Sequence, residues 1–181
     1  MLAASRGVSL SSVSAGRLPQ RRRFMGARSS TTTMASGDMY SQTANTLAGA
    51  PFDFSSLKGK VVCVLNAYVA MSNKYGADKL AILAFPSDEF GGQELKTCGE
   101  IEAFTTKAGV DAAKGFHMME KVQVNGPSAS PVWQYLKGSC DSCGADVRWN
   151  FAAQFVVDQN GKTVKRVSDA GEAADVVASL M

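Results

Sequence analysis

Leu57–Glu94, LKGKVVCVLNAYVAMSNKYGADKLAILAFPSDEFGGQE, is the stretch on which the fold turns. Within it, Lys60–Asn66 and Leu80–Phe85 are short apolar runs rich in Val, Ile and Leu, bounded by Gly, Pro and polar residues, the pattern of strands covered on both faces. Thirteen residues, Ala67 to Lys79, connect them. A parallel pair needs a crossover of about a dozen residues or more, usually a helix, so this connection is near the minimum. Ser72, Asn73 and Gly76 all weaken a helix there. After the second run, Phe85-Pro86 leaves the sheet and Gly91-Gly92 permits a sharp backbone course before Gln93 and Glu94. Such a loop sits at the C-terminal end of a strand, where open α/β sheets bind ligands.

Upstream, Met39–Leu57 reads as an opening hairpin. Downstream, Ile101, Phe104 and Thr105 fall at helical spacing, and Glu100–Lys107 is expected to form a short packing helix that stops at Gly109. Lys121–Val124 reads as a short strand and Pro131–Lys137 as a helix with Trp133 and Leu136 toward the core. Phe151–Asp158 and Thr163–Val167 flank Asp158-Gln159-Asn160-Gly161, a hairpin turn signal. Ala170–Met181 closes the chain as a helix of small residues. Parallel strands joined by crossovers, then a hairpin and a terminal helix, predict a thioredoxin-like α/β sandwich with a mixed sheet of four to five strands.

The composition, 45% hydrophobic and 19% charged, is that of an ordinary globular chain, and no run of 18 apolar residues suggests a membrane span. Residues 1–37 stand apart: six arginines, eight serines and no acidic residue before Asp38. This is transit-peptide composition, and it lacks the apolar core of a secretory signal. The six arginines carry the basic balance, since without them the net charge falls from +3 to −3. Nothing in the remainder argues for nucleic acid. The expected organisation is a disordered transit peptide over 1–37 and one domain over 38–181. Arg21-Arg22-Arg23-Phe24 followed by small and hydroxylated residues suits mitochondrial import; a plastid peptide shares the same enrichment, and initiation at Met34 gives a cytosolic form.

Three segments, Lys79–Glu94, Lys121–Lys137 (KVQVNGPSASPVWQYLK) and Trp149–Arg166 (WNFAAQFVVDQNGKTVKR), together resemble the glutathione peroxidase family, in the right order, over Met39 to Met181. The resemblance implies the thioredoxin-like fold and reduction of hydrogen peroxide or organic hydroperoxides by glutathione, thioredoxin or another thiol, with no cofactor and no metal. It also implies that Gln93, Trp149 and Asn150 are the hydrogen-bond donors around a chalcogen nucleophile. An indole N–H and two carboxamides stabilise such an anion without themselves titrating.

The nucleophile departs from the pattern. The family places a Cys or selenocysteine five residues after the Asn that ends the first strand; counting from Asn66, that position holds Met71. A thioether neither ionises nor forms a sulfenic acid. The residues that carry most of the family's first helix are missing as well, between Met71 and Leu80. Three readings stay open: a silent family member acting as a binding or redox-sensing protein, another cysteine in the role, or an incomplete translation of a selenoprotein whose UGA codon was skipped. Ser87 and Thr105 stand where thioredoxin-using members often carry cysteines, which suits a selenoenzyme reduced by glutathione. The shortened connection is expected to leave packing beneath Val62 and Val64 open.

Of the four cysteines, Cys63 lies mid-strand and reads as an inert buried thiol. Cys98 reads as exposed, with nothing beside it to lower its pKa. Cys140-Asp141-Ser142-Cys143 has the spacing of a redox disulfide or half a zinc site; with no second pair, and His117 the single histidine, zinc is disfavoured. The pair's place just before Trp149 keeps a loop disulfide or a resolving pair close to the active face open as one reading, although four cysteines in a chain of this size need no disulfide framework. His117 itself reads as a partly buried packing residue.

Overall fold

The computed structural model describes residues 37–65, 72–150 and 152–181. The transit-peptide reading and Met71 therefore lie outside the described residues. The two apolar runs are strands β1 (Val61–Leu65) and β2 (Leu80–Ala84), parallel and in register from Val61 opposite Leu80 to Leu65 opposite Ala84. Every residue of both is buried, as a strand covered on both faces requires. With β3 (Phe116–Met118), β4 (Gln154–Val157) and β5 (Thr163–Val167) they form a mixed sheet ordered β3-β2-β1-β4-β5. β3 runs parallel to β2, β4 antiparallel to β1, and β5 antiparallel to β4. The architecture is the predicted thioredoxin-like α/β fold.

Among the described residues four α-helices accompany the sheet: α1 (Ser72–Tyr75), α2 (Cys98–Lys107), α3 (Pro131–Gly138) and α4 (Ala170–Ser179). Only one turn, α1, stands in the β1–β2 connection among the described residues, in keeping with its Ser, Asn and Gly content. α2 starts two residues earlier than expected because Thr97 and Glu100 form a reciprocal capping box. Pro131 opens α3, where its missing N–H costs nothing. The β4–β5 turn closes on Gly161, whose φ of 78° suits glycine. An added Cβ there would also meet the Tyr40 ring at 2.8 Å.

Alternation along the strands sorts side chains onto two faces. Val62, Val64, Ala81, Leu83, Phe155 and Val157 point toward α3 and join Trp133, Phe85, Phe54 and Leu136 in the larger core. Val61, Cys63, Leu65, Leu80, Ile82 and Val156 form the second core with Ala173 and Val177 of α4.

Several expectations are corrected. Val62 and Val64 are completely buried, on the α3 face, so the short connection does not leave them open. The third strand is Phe116–Met118 and not Lys121–Val124. The Ile82–Ala84 edge is already paired by Phe116–Met118, and Val122 makes a single bond to the Pro86 carbonyl before Gly126-Pro127 turns the chain. The opening hairpin shrinks to one bridge, Asn45 to Pro51, because Pro51 has no N–H to extend a ladder and Asp53 instead caps a 3-10 turn over Phe54–Leu57. In α2, Ile101 is buried but Phe104 is 65% exposed, so the helix packs through a narrower stripe than its spacing suggests.

Candidate active site

At the C-terminal end of β2 the chain passes Pro86 and reaches Gly91 and Gly92, with φ of 70° and 61°. Two consecutive left-handed residues reverse the backbone at little cost only where neither carries a Cβ. The reversal presents Gln93, exposed, over the same sheet end from which β4 departs in the antiparallel sense. Trp149 and Asn150 precede β4 and reach that end from the other side. The Asn150 Nδ2 donates to Gln93 Oε1 at 3.5 Å. A Cβ placed on Gly91 would lie 3.8 Å from Gln93 Cγ and 3.9 Å from Trp149 Cη2, so the loop backbone, the carboxamide and the indole edge are neighbours. The structure thus brings the three sequence-selected donors together. The Trp149 ring, 51% exposed, is no core aromatic.

Two polar side chains that sequence reasoning passed over hold this arrangement. Glu89 turns its carboxylate inward, where Oε2 accepts from the backbone N–H groups of Val124 (2.5 Å) and Asn125 (3.2 Å) and from the Ser87 hydroxyl (3.3 Å). Asn125 then pairs with Val147 twice, donating from Nδ2 to its carbonyl (2.9 Å) and accepting at Oδ1 from its N–H (2.8 Å). Glu89 lies in the loop that ends at Gln93, and Val147 lies two residues before Trp149. A continuous chain of bonds therefore couples both halves of the site. No local signal in the sequence marked either one: Glu89 stands in an acidic loop, and Asn125-Gly126 reads as an ordinary turn.

The surrounding electrostatics are mild. Lys121 Nζ bonds Asp88 at 2.7 Å and the Leu95 carbonyl at 3.1 Å, which straps the far side of the loop. The same bond holds the Asp88 carboxyl below its ordinary pKa. No cluster of three or more His, Cys, Asp or Glu suited to a metal occurs among the described residues.

The cysteines are distributed elsewhere. Cys63 is fully buried in β1, and burial pushes its thiol up to about 12, which makes it a poor nucleophile. Cys98 is exposed at the first position of α2. Cys140 and Cys143 form a disulfide with Cα atoms 5.1 Å apart. Cys140 lines a depression with Asp158, Lys162 and Thr163, residues around the β4–β5 turn. That turn is at the opposite end of the sheet from Gln93 and Asn150, so the pair is not beside the donor cluster. His117, on edge strand β3, packs edge-on against Phe52 at 5.1 Å. Its pKa is lowered by burial first and by Lys60 second.

Comparison with known proteins agrees with this layout. The family model described as glutathione peroxidase matches residues 39–137. The hydroperoxy fatty acid reductase gpx1 of Synechocystis is 32% identical over 169 residues, covering 82% of this chain and 97% of that protein. The mitochondrial glutathione peroxidase 1 of Chlamydomonas reinhardtii is 39% identical over 127 residues, 63% of this chain and 62% of that one. Among solved structures, T. cruzi GPX1 superposes with a TM-score of 0.60 at 25% identity, over 80% of this chain and 94% of that chain. With its sheet order, its polar sheet end and these matches in agreement, the chain belongs to the glutathione peroxidase family.

Proposed function

We propose that this chain carries the scaffold of a thiol-dependent hydroperoxide reductase, in which Gln93, Trp149 and Asn150 form the donor set for a chalcogenolate supplied by the segment between Asn66 and Ser72. The overall reaction takes one hydroperoxide and two thiols to an alcohol, water and a disulfide. A chalcogen anion attacks the terminal peroxide oxygen, the O–O bond breaks, and the departing oxygen takes a proton; two thiols then return the oxidised chalcogen to its resting state. Donors aimed at the anion lower its pKa and hold it next to the peroxide. The observation that carries this reading is the meeting of Gln93 and Asn150 beside the Trp149 edge, over a sheet end that the Glu89–Asn125–Val147 chain keeps rigid.

Met71 stands at the nucleophile's position, and a thioether cannot start the cycle. The reading therefore holds that the gene encodes a selenocysteine and the rest of a first helix at this point, with glutathione as reductant in place of thioredoxin. The arginine-rich first 37 residues and the mitochondrial relative favour an organelle.

The test is hydroperoxide turnover by two proteins, each supplied with glutathione or with thioredoxin. The 181-residue chain is expected to show none, and the chain carrying the complete nucleophile segment is expected to turn over. In the latter, Gln93→Ala should lower kcat by about 10²–10³, as removal of one preorganised donor does. Turnover by the 181-residue chain that disappears in Cys98→Ser would instead move the nucleophile to α2.

A further inference from the structure

The Cys140–Cys143 bridge closes a loop of only two intervening residues, the size at which a cross-link constrains the unfolded chain least. Its two sulfurs have unequal surroundings. Cys143 is completely buried in the α3-side core, whereas Cys140 is half-exposed in the wall of a depression of about 590 Å³. That depression also receives Asp141, Asp158, Lys162, Val164 and Leu180. Its volume lies within the range of small-molecule sites, about 300–1,000 Å³. Its lining offers Lys162 to a carboxylate and Asp141 to an ammonium group, beside the apolar Val164 and Leu180.

The chain between the bridge and Trp149 is held at three points. The disulfide fixes its start, together with the hydrogen bond from Cys143 N to the Cys140 carbonyl at 3.0 Å. Arg166 of β5 fixes its middle, donating to the carbonyls of Cys143 (2.9 Å), Ala145 and Asp146 (3.1 Å). Asn125 fixes its end through Val147. Opening the bridge removes the first hold and loosens the second, because the Arg166 clamp grips the Cys143 peptide itself.

From this geometry we propose that Cys140–Cys143 is a second thiol–disulfide exchange site, remote from Gln93 and Asn150, which takes a small peptide thiol bearing ammonium and carboxylate groups at Cys140 and whose redox state sets the order of the segment bearing Trp149 and Asn150. The incoming thiolate attacks Cys140 Sγ, forming a mixed disulfide; the Cys140–Cys143 bond breaks and Cys143 Sγ leaves with the electron pair and takes a proton. A second thiol then attacks the mixed disulfide, releasing the small-molecule disulfide and the Cys140 thiol. Two thiols are oxidised and one protein disulfide is reduced. Attack at Cys143 is barred by its burial. The permanently charged guanidinium on the Cys143 carbonyl favours that sulfur as the leaving thiolate.

The proposal is tested on the 181-residue chain with glutathione as probe. In a Cys98→Ser background, which removes the exposed free thiol, oxidised glutathione is expected to add one glutathione to Cys143→Ser, located at Cys140 by peptide mapping, and none to the buried sulfur of Cys140→Ser. In Trp133→Phe, which leaves Trp149 as the sole tryptophan, reduction of the bridge by reduced glutathione should shift Trp149 emission and raise hydrogen exchange over residues 139–149, with the sheet core still protected. Three results each overturn the proposal: a folded chain in which both cysteines alkylate as free thiols under air, an adduct on Cys143, or a bridge that opens only to a protein dithiol or upon unfolding. An unchanged Trp149 signal on complete reduction overturns the coupling. None of these outcomes depends on a peroxidase nucleophile being present.

Discussion

On the α3 face of the sheet Trp133 stands edge-on to both Phe85 and Phe155, with ring centroids 6.4 and 5.6 Å away, while the opposite face is built of Val61, Cys63, Leu65, Leu80, Ile82 and Val156 under the small residues of α4. The first face is thick and aromatic. The second has Phe116 as its buried aromatic and depends on α4 and the single turn α1 for cover. The supports of Gln93 and Trp149 stand on the aromatic face. Phe90, Val124 and Val147 all belong to that larger core. The meeting of Gln93 with Asn150 therefore rests on the aromatic core and not on the β1–β2 connection.

The comparison breaks if the two faces respond alike to truncation. Trp133→Ala should cost about 3–5 kcal/mol, since it empties the centre of an aromatic cluster that has little room to collapse. Ile82→Ala should fall toward the low end of the roughly 2–5 kcal/mol range for such changes, because it sits in the smaller, aliphatic core among residues such as Ala84 and Ala173. Urea unfolding of both variants checks this, and equal losses would contradict the asymmetry.

Next in size is Asn125→Ala. It strips a buried residue, Val147, of partners for both its N–H and its carbonyl, each worth about 1–3 kcal/mol when left unsatisfied. The expected outcome is a loss of stability together with faster hydrogen exchange at residues 145–150, and little change in exchange within β2.

The smallest effect is a pH dependence. Burial lowers the His117 pKa in the folded chain below its unfolded value of about 6.5, so the unfolded state binds the proton more readily. Stability should therefore be fully present above that pH and decline as pH falls through it. His117→Phe, which keeps a ring against Phe52, should flatten the profile between about pH 7 and 5. A variant with an unaltered slope would assign the dependence to other groups.

How much of this was legible beforehand follows from the kind of signal each element carries. β1, β2, α3, the β4–β5 hairpin and α4 were readable because each joins strong periodicity to a clear start or stop: Pro131, Gly161, the Asp169 cap. β3 was not, because three residues on a sheet edge have no period to read, and their strand character exists only through pairing with Ile82–Ala84. The donor cluster was legible through motif resemblance, but its supports were not. Nothing local marks Glu89 as a carboxylate that turns inward to meet the backbone 35 residues away. Likewise the spacing of Cys140 and Cys143 allowed a disulfide without deciding it or its place, because the end of the sheet it occupies depends on the course of the loop between α3 and β4.

The central claim is that the chain is a peroxidase scaffold whose nucleophile belongs between Asn66 and Ser72, and the most direct measurement is the genomic and transcript sequence spanning the codons for Ala70 to Ser72. The account predicts an in-frame UGA followed by coding sequence for the rest of a first helix. Uninterrupted genomic coding from Ala70 through Lys74 would contradict it.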